Sequence, residues 1–162
     1  MKKRIIALGL LWCLSAVMLQ AARVDTVLVR SAAMNKDVKV VYVLPDKAIG
    51  KQACPVVYLL HGYGGNARSW VQLKPELPQM ADEKGIIFVC PDGKNSWYWD
   101  SPENPAYRYE TFVTSELVKY TDGNYATIPD RKARAISGLS MGGTVLCGVL
   151  SVIRMCSVRR AV

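Results

Sequence analysis

Gly138-Leu139-Ser140-Met141-Gly142 sets a serine between two glycines at the spacing G-x-S-x-G, after a β-rich run and before a helical pattern. A sharp strand-to-helix turn with this spacing forces its serine into a strained backbone conformation. It also holds the hydroxyl at a helix N-terminus, where unpaired N–H groups support an anion. Small residues two before and two after the serine leave room for the main chain that crowds there. A second glycine-rich segment, His61-Gly-Tyr-Gly-Gly65, follows an earlier apolar run. Glycines let backbone approach a ligand closely. The backbone N–H groups of Tyr63 and Met141 then become candidate oxyanion donors, with Ser140 as the nucleophile. The chemistry such a set performs is acyl transfer.

The surrounding elements alternate between strand and helix. Residues 26–31 and 38–44 are β-rich, with turn chemistry at Asn35-Lys-Asp37, which predicts an antiparallel pair. Residues 55–60 and 85–90 are continuous apolar runs, the pattern of strands buried on both faces of a mainly parallel sheet. Residues 70–84 have helical spacing, and Pro75 and Pro78 predict a helix in two pieces. Residues 109–120 form an amphipathic helix with Phe112, Val113, Leu117 and Tyr120 inward. The short strand 133–137 delivers Gly138. This alternation predicts an α/β layer fold. Residues 94–107 carry no helix or strand pattern, and loops of that length are uncommon unless they bind something. They are a candidate pocket wall.

The sequence holds 21 Lys plus Arg and 13 Asp plus Glu, a formal charge of +8. Residues 1–22 contain Lys2, Lys3 and Arg4 and no acid, and residues 144–162 contain Arg154, Arg159 and Arg160 and no acid. The stretch between them is nearly neutral, which argues against nucleic acid as a partner. Lys2-Lys-Arg4, the apolar run 5–14 and the small residues up to Ala22 have the layout of a secretory signal peptide cut near Ala22. The apolar run is shorter than the roughly 20 residues a spanning helix needs. Export to the periplasm or exterior is therefore expected, with no stable membrane anchor after cleavage. Cys54 and Cys90 remain in the body, each beside a buried-strand pattern where a free thiol serves as a small hydrophobe. That reading is preferred over a disulfide. No His/Cys/Asp cluster has ligand spacing, so neither a metal nor an organic cofactor is expected.

From about residue 26 to 143 the chain resembles the esterase D group of α/β hydrolases. That group includes secreted feruloyl and acetyl esterases, tributyrin esterases, S-formylglutathione hydrolases and mycolyltransferases. The matching residues are Pro55-Val-Val-Tyr-Leu-Leu-His-Gly-Tyr-Gly-Gly-Asn66, Pro91-Asp-Gly93, Asn95-Ser-Trp-Tyr98, Tyr107-Arg-Tyr-Glu-Thr-Phe-Val113 and Ala135-Ile-Ser-Gly-Leu-Ser-Met-Gly-Gly143. The resemblance implies the N-terminal part of an α/β-hydrolase fold, up to the nucleophile elbow and the start of the next helix. It implies Ser140 as nucleophile and Tyr63 and Met141 as oxyanion donors. It also sets Trp97 and Tyr98 beside the acyl or alcohol pocket, with plain loop packing of these aromatics as the alternative. The implied substrate is a small-molecule or carbohydrate-linked ester, acetyl or feruloyl. A mycolyl-type acyltransferase and a non-enzymatic remnant remain alternatives.

One part of the machinery is missing. A serine nucleophile needs a base, and the base needs a carboxylate to orient it; in this fold both follow the serine. The residues after Ser140 contain no Asp, Glu or His, and the sole histidine is His61. Residues 144–162 resemble nothing in the family. Back-translated with free codon choice and read one base back, they can encode His-Gly-Ala-Met-Trp-Cys-Ala-Ile-Arg-His-Gln-Asp-Val-Phe-Gly-Ala-Ala-Gly-Ser, which fits the family's continuation. Met-Trp has a single coding, and its shifted reading forces Cys-Gly, found here as Cys147-Gly148. The expectation is a signal peptide at 1–22, a partial esterase domain at 23–143 and an out-of-frame tail at 144–162, inactive for want of its Asp and His.

Overall fold

The computed structural model describes residues 22–144, so the expected signal peptide up to Ala21 and the expected out-of-frame tail from Val145 lie outside the described residues. Five strands form one sheet in the order β1-β2-β4-β3-β5. The first two, β1 (Arg23–Ser31) and β2 (Lys36–Leu44), pair antiparallel from Arg23 opposite Leu44 to Ser31 opposite Lys36. They are joined at Asn35, whose φ of 50° is a left-handed turn conformation that Asn tolerates. The pair begins three residues earlier than the β-rich run suggested, because Arg23 to Asp25 continue the ladder despite their polarity.

Next come α1 (Asp46–Ile49), β3 (Val56–Leu60), the two-piece helix α2 (Ser69–Leu73) and α3 (Leu77–Lys84), and β4 (Ile87–Pro91). Pro75 falls in the break and Pro78 in the first turn of α3, where a missing N–H costs nothing. Strand β4 runs antiparallel to β2 but parallel to β3, and β3 parallel to β5 (Arg134–Gly138). The sheet is thus mixed: an antiparallel hairpin on a parallel trio.

Alternation along the strands supplies a core on each face. Val40, Tyr42, Val56, Tyr58, Leu60, Ile87 and Val89 pack beneath Tyr98, Phe112, Val113 and Leu117. Val41, Val43, Leu59, Phe88 and Cys90 meet Ala67, Leu77 and Ala81 on the other. Cys54 belongs to the first core and Cys90 to the second; both are buried and free. Burial pushes the Cys90 thiol up to about 12, so it stays protonated and inert.

The helix expected at 109–120 is longer and interrupted. It runs as α4 (Tyr109–Thr111), a π-helical turn (Phe112–Glu116) and α5 (Leu117–Asn124). The Thr114 hydroxyl donates back to the Glu110 carbonyl at 2.7 Å, the kind of back-bonding that loosens a helical turn. The wider turn brings Thr121 into the core, where its hydroxyl meets Tyr42 Oη at 2.9 Å, and leaves Tyr120 at the margin. Glu116, ending the π turn, accepts from the Ser31 hydroxyl at 2.6 Å and the Ala33 N–H at 2.8 Å. One carboxylate ties the first hairpin to the helix. Among the described residues nothing pairs with the outer edge of β5, and an apolar recess of about 220 Å³ opens there between Tyr58, Val113, Val118 and Ile136.

Candidate active site

Because β3, β4 and β5 are parallel, their carboxyl ends share one edge of the sheet, where α/β folds place their ligands. Strand β5 ends at Gly138, and two residues later Ser140 has φ 48°. A non-glycine residue rarely adopts that conformation, and it persists only where its surroundings over-determine it. The surroundings do so here. The Leu139 N–H donates to Leu60 O at 3.1 Å, and the N–H groups of Gly143 and Thr144 close on Ser140 O at 2.8 and 3.0 Å. A Cβ on Gly138 would stand 2.4 Å from the Gly142 carbonyl carbon, and one on Gly142 would stand 2.6 Å from Leu60 O. Main chain fills both places, so only glycine fits. Ser140 is left exposed at the tip while the Met141 side chain is fully buried as its anchor.

The glycine-rich loop after β3 lies directly against this elbow. A Cβ built on Gly62 would sit 3.6 Å from Ser140 Cβ and 3.4 Å from Leu139 O. Among the described residues the Tyr63 and Met141 N–H groups donate to no other protein group. Two unpaired amides flanking an exposed serine are what an oxyanion hole requires.

His61 explains why the loop holds its shape. Its ring is buried, with Nδ1 2.7 Å from Gly62 O and Nε2 3.0 Å from the Gly93 N. The Gly93 N–H must donate, so Nε2 is the acceptor and Nδ1 carries the proton. Both nitrogens are engaged in positioning backbone, which leaves the histidine no lone pair for Ser140. Asp92 lies 3.6 Å from Nε2 and accepts from Lys94 through its N–H at 3.0 Å and its ammonium at 2.8 Å. Burial alone would raise the Asp92 carboxyl; the N–H and ammonium of Lys94 outweigh burial and hold it well below the usual carboxylate range. Such a group stabilises the fold above its unfolded pKa of about 3.9, and that contribution fades as pH falls toward the folded value. Acid titration of thermal stability is therefore expected to show a steeper loss below pH 4 in the parent than in Asp92→Asn; parallel curves would contradict it.

The aromatic pair of the 94–107 loop divides. Trp97 is half exposed, its ring 6.5 Å from that of Tyr63 in the glycine-rich loop. Tyr98 does not face solvent: it is 1% exposed, its ring lies over Gly93, and its hydroxyl accepts the His61 N–H at 3.0 Å. Packing, the alternative for these aromatics, is what Tyr98 does. Lys94, Trp97 and Tyr98 all have positive φ, so the loop is held in strain. Ser96 steadies it by donating to Gly93 O at 2.5 Å and accepting from the Tyr98 N–H at 3.1 Å. Tyr98→Phe strands the buried His61 N–H and is expected to cost about 1–3 kcal/mol, read from denaturant unfolding. A neutral result would deny Tyr98 its anchoring role. Asn95, whose side-chain oxygen accepts the Gly64 N–H at 2.8 Å, is a further clamp on the glycine-rich loop after β3. The sequence offered it only inside the Asn-Ser-Trp-Tyr match, with no sign of its partner.

Comparison with known proteins agrees with this geometry. An acetyl esterase of Caldicellulosiruptor saccharolyticus is 28% identical over 121 residues, 70% of this chain and 45% of that protein. An endo-1,4-beta-xylanase/feruloyl esterase of Xylanibacter ruminicola is 38% identical over 103 residues, 58% of this chain and 14% of the other. The chain thus spans less than half the length of these two relatives. An S-formylglutathione hydrolase structure from Agrobacterium tumefaciens superposes with a TM-score of 0.67 at 28% identity, over 76% of this chain and 50% of that one. The model of the family "Esterase: Putative esterase" matches residues 31–150. With that match over most of its length and the strand order and elbow described above, the chain belongs to this esterase family, in the α/β-hydrolase fold.

Proposed function

We propose that this chain carries the nucleophile half of a serine carboxylic-ester hydrolase acting on acetyl or feruloyl esters of carbohydrate. Ser140 attacks the acyl carbon, the Tyr63 and Met141 N–H groups hold the oxyanion, and water later releases the acyl-enzyme. The observation that carries the reading is the strained, exposed Ser140 with φ 48° against the Gly62 loop. The carbohydrate ester is favoured by the acetyl and feruloyl esterase relatives and by the exposed aromatics Tyr63, Trp97 and Trp99 near the loop. Aromatic faces suit both a feruloyl ring and a sugar face.

We further propose that residues 1–22 direct export and are removed, and that 144–162 are read in the wrong frame. As written, the chain then lacks the base and its orienting carboxylate, and oxyanion stabilisation is the catalysis that remains. With p-nitrophenyl acetate the expected turnover is several orders of magnitude below that of a complete relative, and Ser140→Ala lowers it little further, because what remains comes from the oxyanion hole and binding. Turnover equal to a complete relative would overturn the missing-base proposal. Fluorophosphonate modification of the folded chain at another serine and not at Ser140 would overturn Ser140 as nucleophile.

A further inference from the structure

Strand β4 stops pairing with β2 at Val40 opposite Pro91, and there the carboxyl edge of the sheet opens into a cavity of about 540 Å³. It lies on the same edge as Ser140, since Asp92, Lys94 and Asn95 in its wall continue directly from the end of β4. Asn95 joins the two places: it lines the cavity while its side-chain oxygen holds the Gly64 N–H of the oxyanion loop.

Three lysines line the cavity: Lys94 from the segment after β4, and Lys36 and Lys39 from the two faces of β2, whose side chains alternate along the strand. Asp92 neutralises Lys94 at 2.8 Å, whereas Lys36 and Lys39 have no carboxylate partner among the described residues. Lys36 is half buried. Its ammonium donates to Ala106 O at 2.6 Å and sits 5.2 Å from the Tyr107 ring and 4.6 Å from the Tyr109 ring. Burial first, and then the field of Lys94, lower its pKa, with Asp92 opposing. An incoming anion relieves both strains. The rest of the lining suits a polyhydroxylated ring. Tyr107 is part-exposed, Leu28 is a second exposed apolar surface, and Asn95 and Asp37, the latter 3.6 Å from the Arg30 guanidinium, offer acceptors to hydroxyl groups. A bare phosphate would gain the cations but has no ring face to lay on Tyr107 and Leu28.

We infer that this cavity is a subsite for a carboxylate-bearing sugar, a uronate unit of the carbohydrate whose ester Ser140 attacks. The carboxylate meets Lys36 and Lys39, the ring lies along Tyr107, and hydroxyls donate to Asp37 and the Asn95 oxygen. The inference rests on the carbohydrate-ester reading for its substrate, but binding can be measured without ester cleavage.

The test is a titration of the isotope-labelled 162-residue chain with trigalacturonate, xylotriose and inorganic phosphate, followed by amide chemical shifts. Saturable shifts at Lys36, Lys39, Asn95 and Tyr107 are expected with trigalacturonate, at least roughly tenfold tighter than with xylotriose or phosphate. Lys39→Ala should weaken that binding by about threefold and Lys36→Gln by about tenfold. The Lys39 side chain makes no hydrogen bond or ion pair among the described residues, so its variant keeps the test open even where Lys36→Gln does not fold. Equal binding of xylotriose, binding of phosphate as tight as the trimer's, or unchanged affinity in Lys39→Ala would overturn the subsite. Fluorophosphonate reaction at Ser140 separates the two readings. Labelling without uronate binding removes the subsite alone, and uronate binding without labelling removes the esterase reading alone.

Discussion

Restoring one base near the Gly143 codon is expected to raise esterase turnover by about ten-thousand-fold or more over the chain as it stands. The expectation follows from which parts are present. The elbow, the unpaired Tyr63 and Met141 amides and the exposed serine are all in place. The one histidine in the sequence is spent on the Gly62 carbonyl and the Gly93 N–H. A serine hydroxyl at neutral pH is a weak nucleophile without a neighbouring base, and removing the histidine of a triad costs orders of magnitude while the oxyanion hole retains some catalysis. In the back-translated segment both histidines precede the one aspartate, whereas this fold takes the order Ser, Asp, His. On the frameshift proposal the base and its orienting carboxylate therefore come from the restored frame beyond that segment. The measurement is p-nitrophenyl acetate turnover of the frame-restored protein beside the present chain, with the DNA read past the Val162 codon. Absence of an intact downstream frame, or a restored protein no faster than its parent, would end the frameshift proposal.

Gly142→Ala is expected to destabilise the domain by about 3 kcal/mol and to remove Ser140 from its position. The added methyl would lie 2.6 Å from Leu60 O and 2.7 Å from Leu60 Cβ, inside contact distance of the strand β3 backbone itself. Neither neighbour is the free end of a flexible side chain. Leu60 is fully buried, and its carbonyl already accepts the Leu139 N–H. Relief therefore requires β5 or the elbow to move, which takes the Met141 amide away from the oxyanion loop. Gly64→Ala is the matched control in open space, although its φ of 76° still carries strain. Denaturant unfolding together with Ser140 reactivity checks both. A Gly142→Ala protein as stable and reactive as its parent would mean that the close approach is absent.

Much of this was legible because the signals are local. The G-x-S-x-G spacing, the glycine loop after an apolar run and the two prolines in residues 70–84 each state their geometry within a few residues. Tyr98 shows the limit. A tyrosine in a strained loop reads equally as pocket wall or anchor, and only its contact with Gly93 and with the His61 N–H, 37 residues away, decides for the anchor. The clamp from Glu116 to the first hairpin spans 85 residues and leaves no periodic trace. The π turn is hidden for a related reason. One extra residue in a helical turn moves Tyr120 to the margin and Thr121 inward, while a 3.6-residue period reads straight through it. The lysine-lined cavity is made by β2, the residues after β4 and the 94–107 loop together, so no single segment announces it.

The most direct measurement is the site of fluorophosphonate modification in this chain, mapped by peptide mass spectrometry. The expected result is a single adduct on Ser140, formed slowly for want of a base and absent from Ser140→Ala. Modification at another serine, or none at Ser140 in chain shown to be folded by a cooperative melt, would contradict the assignment of Ser140 as the nucleophile.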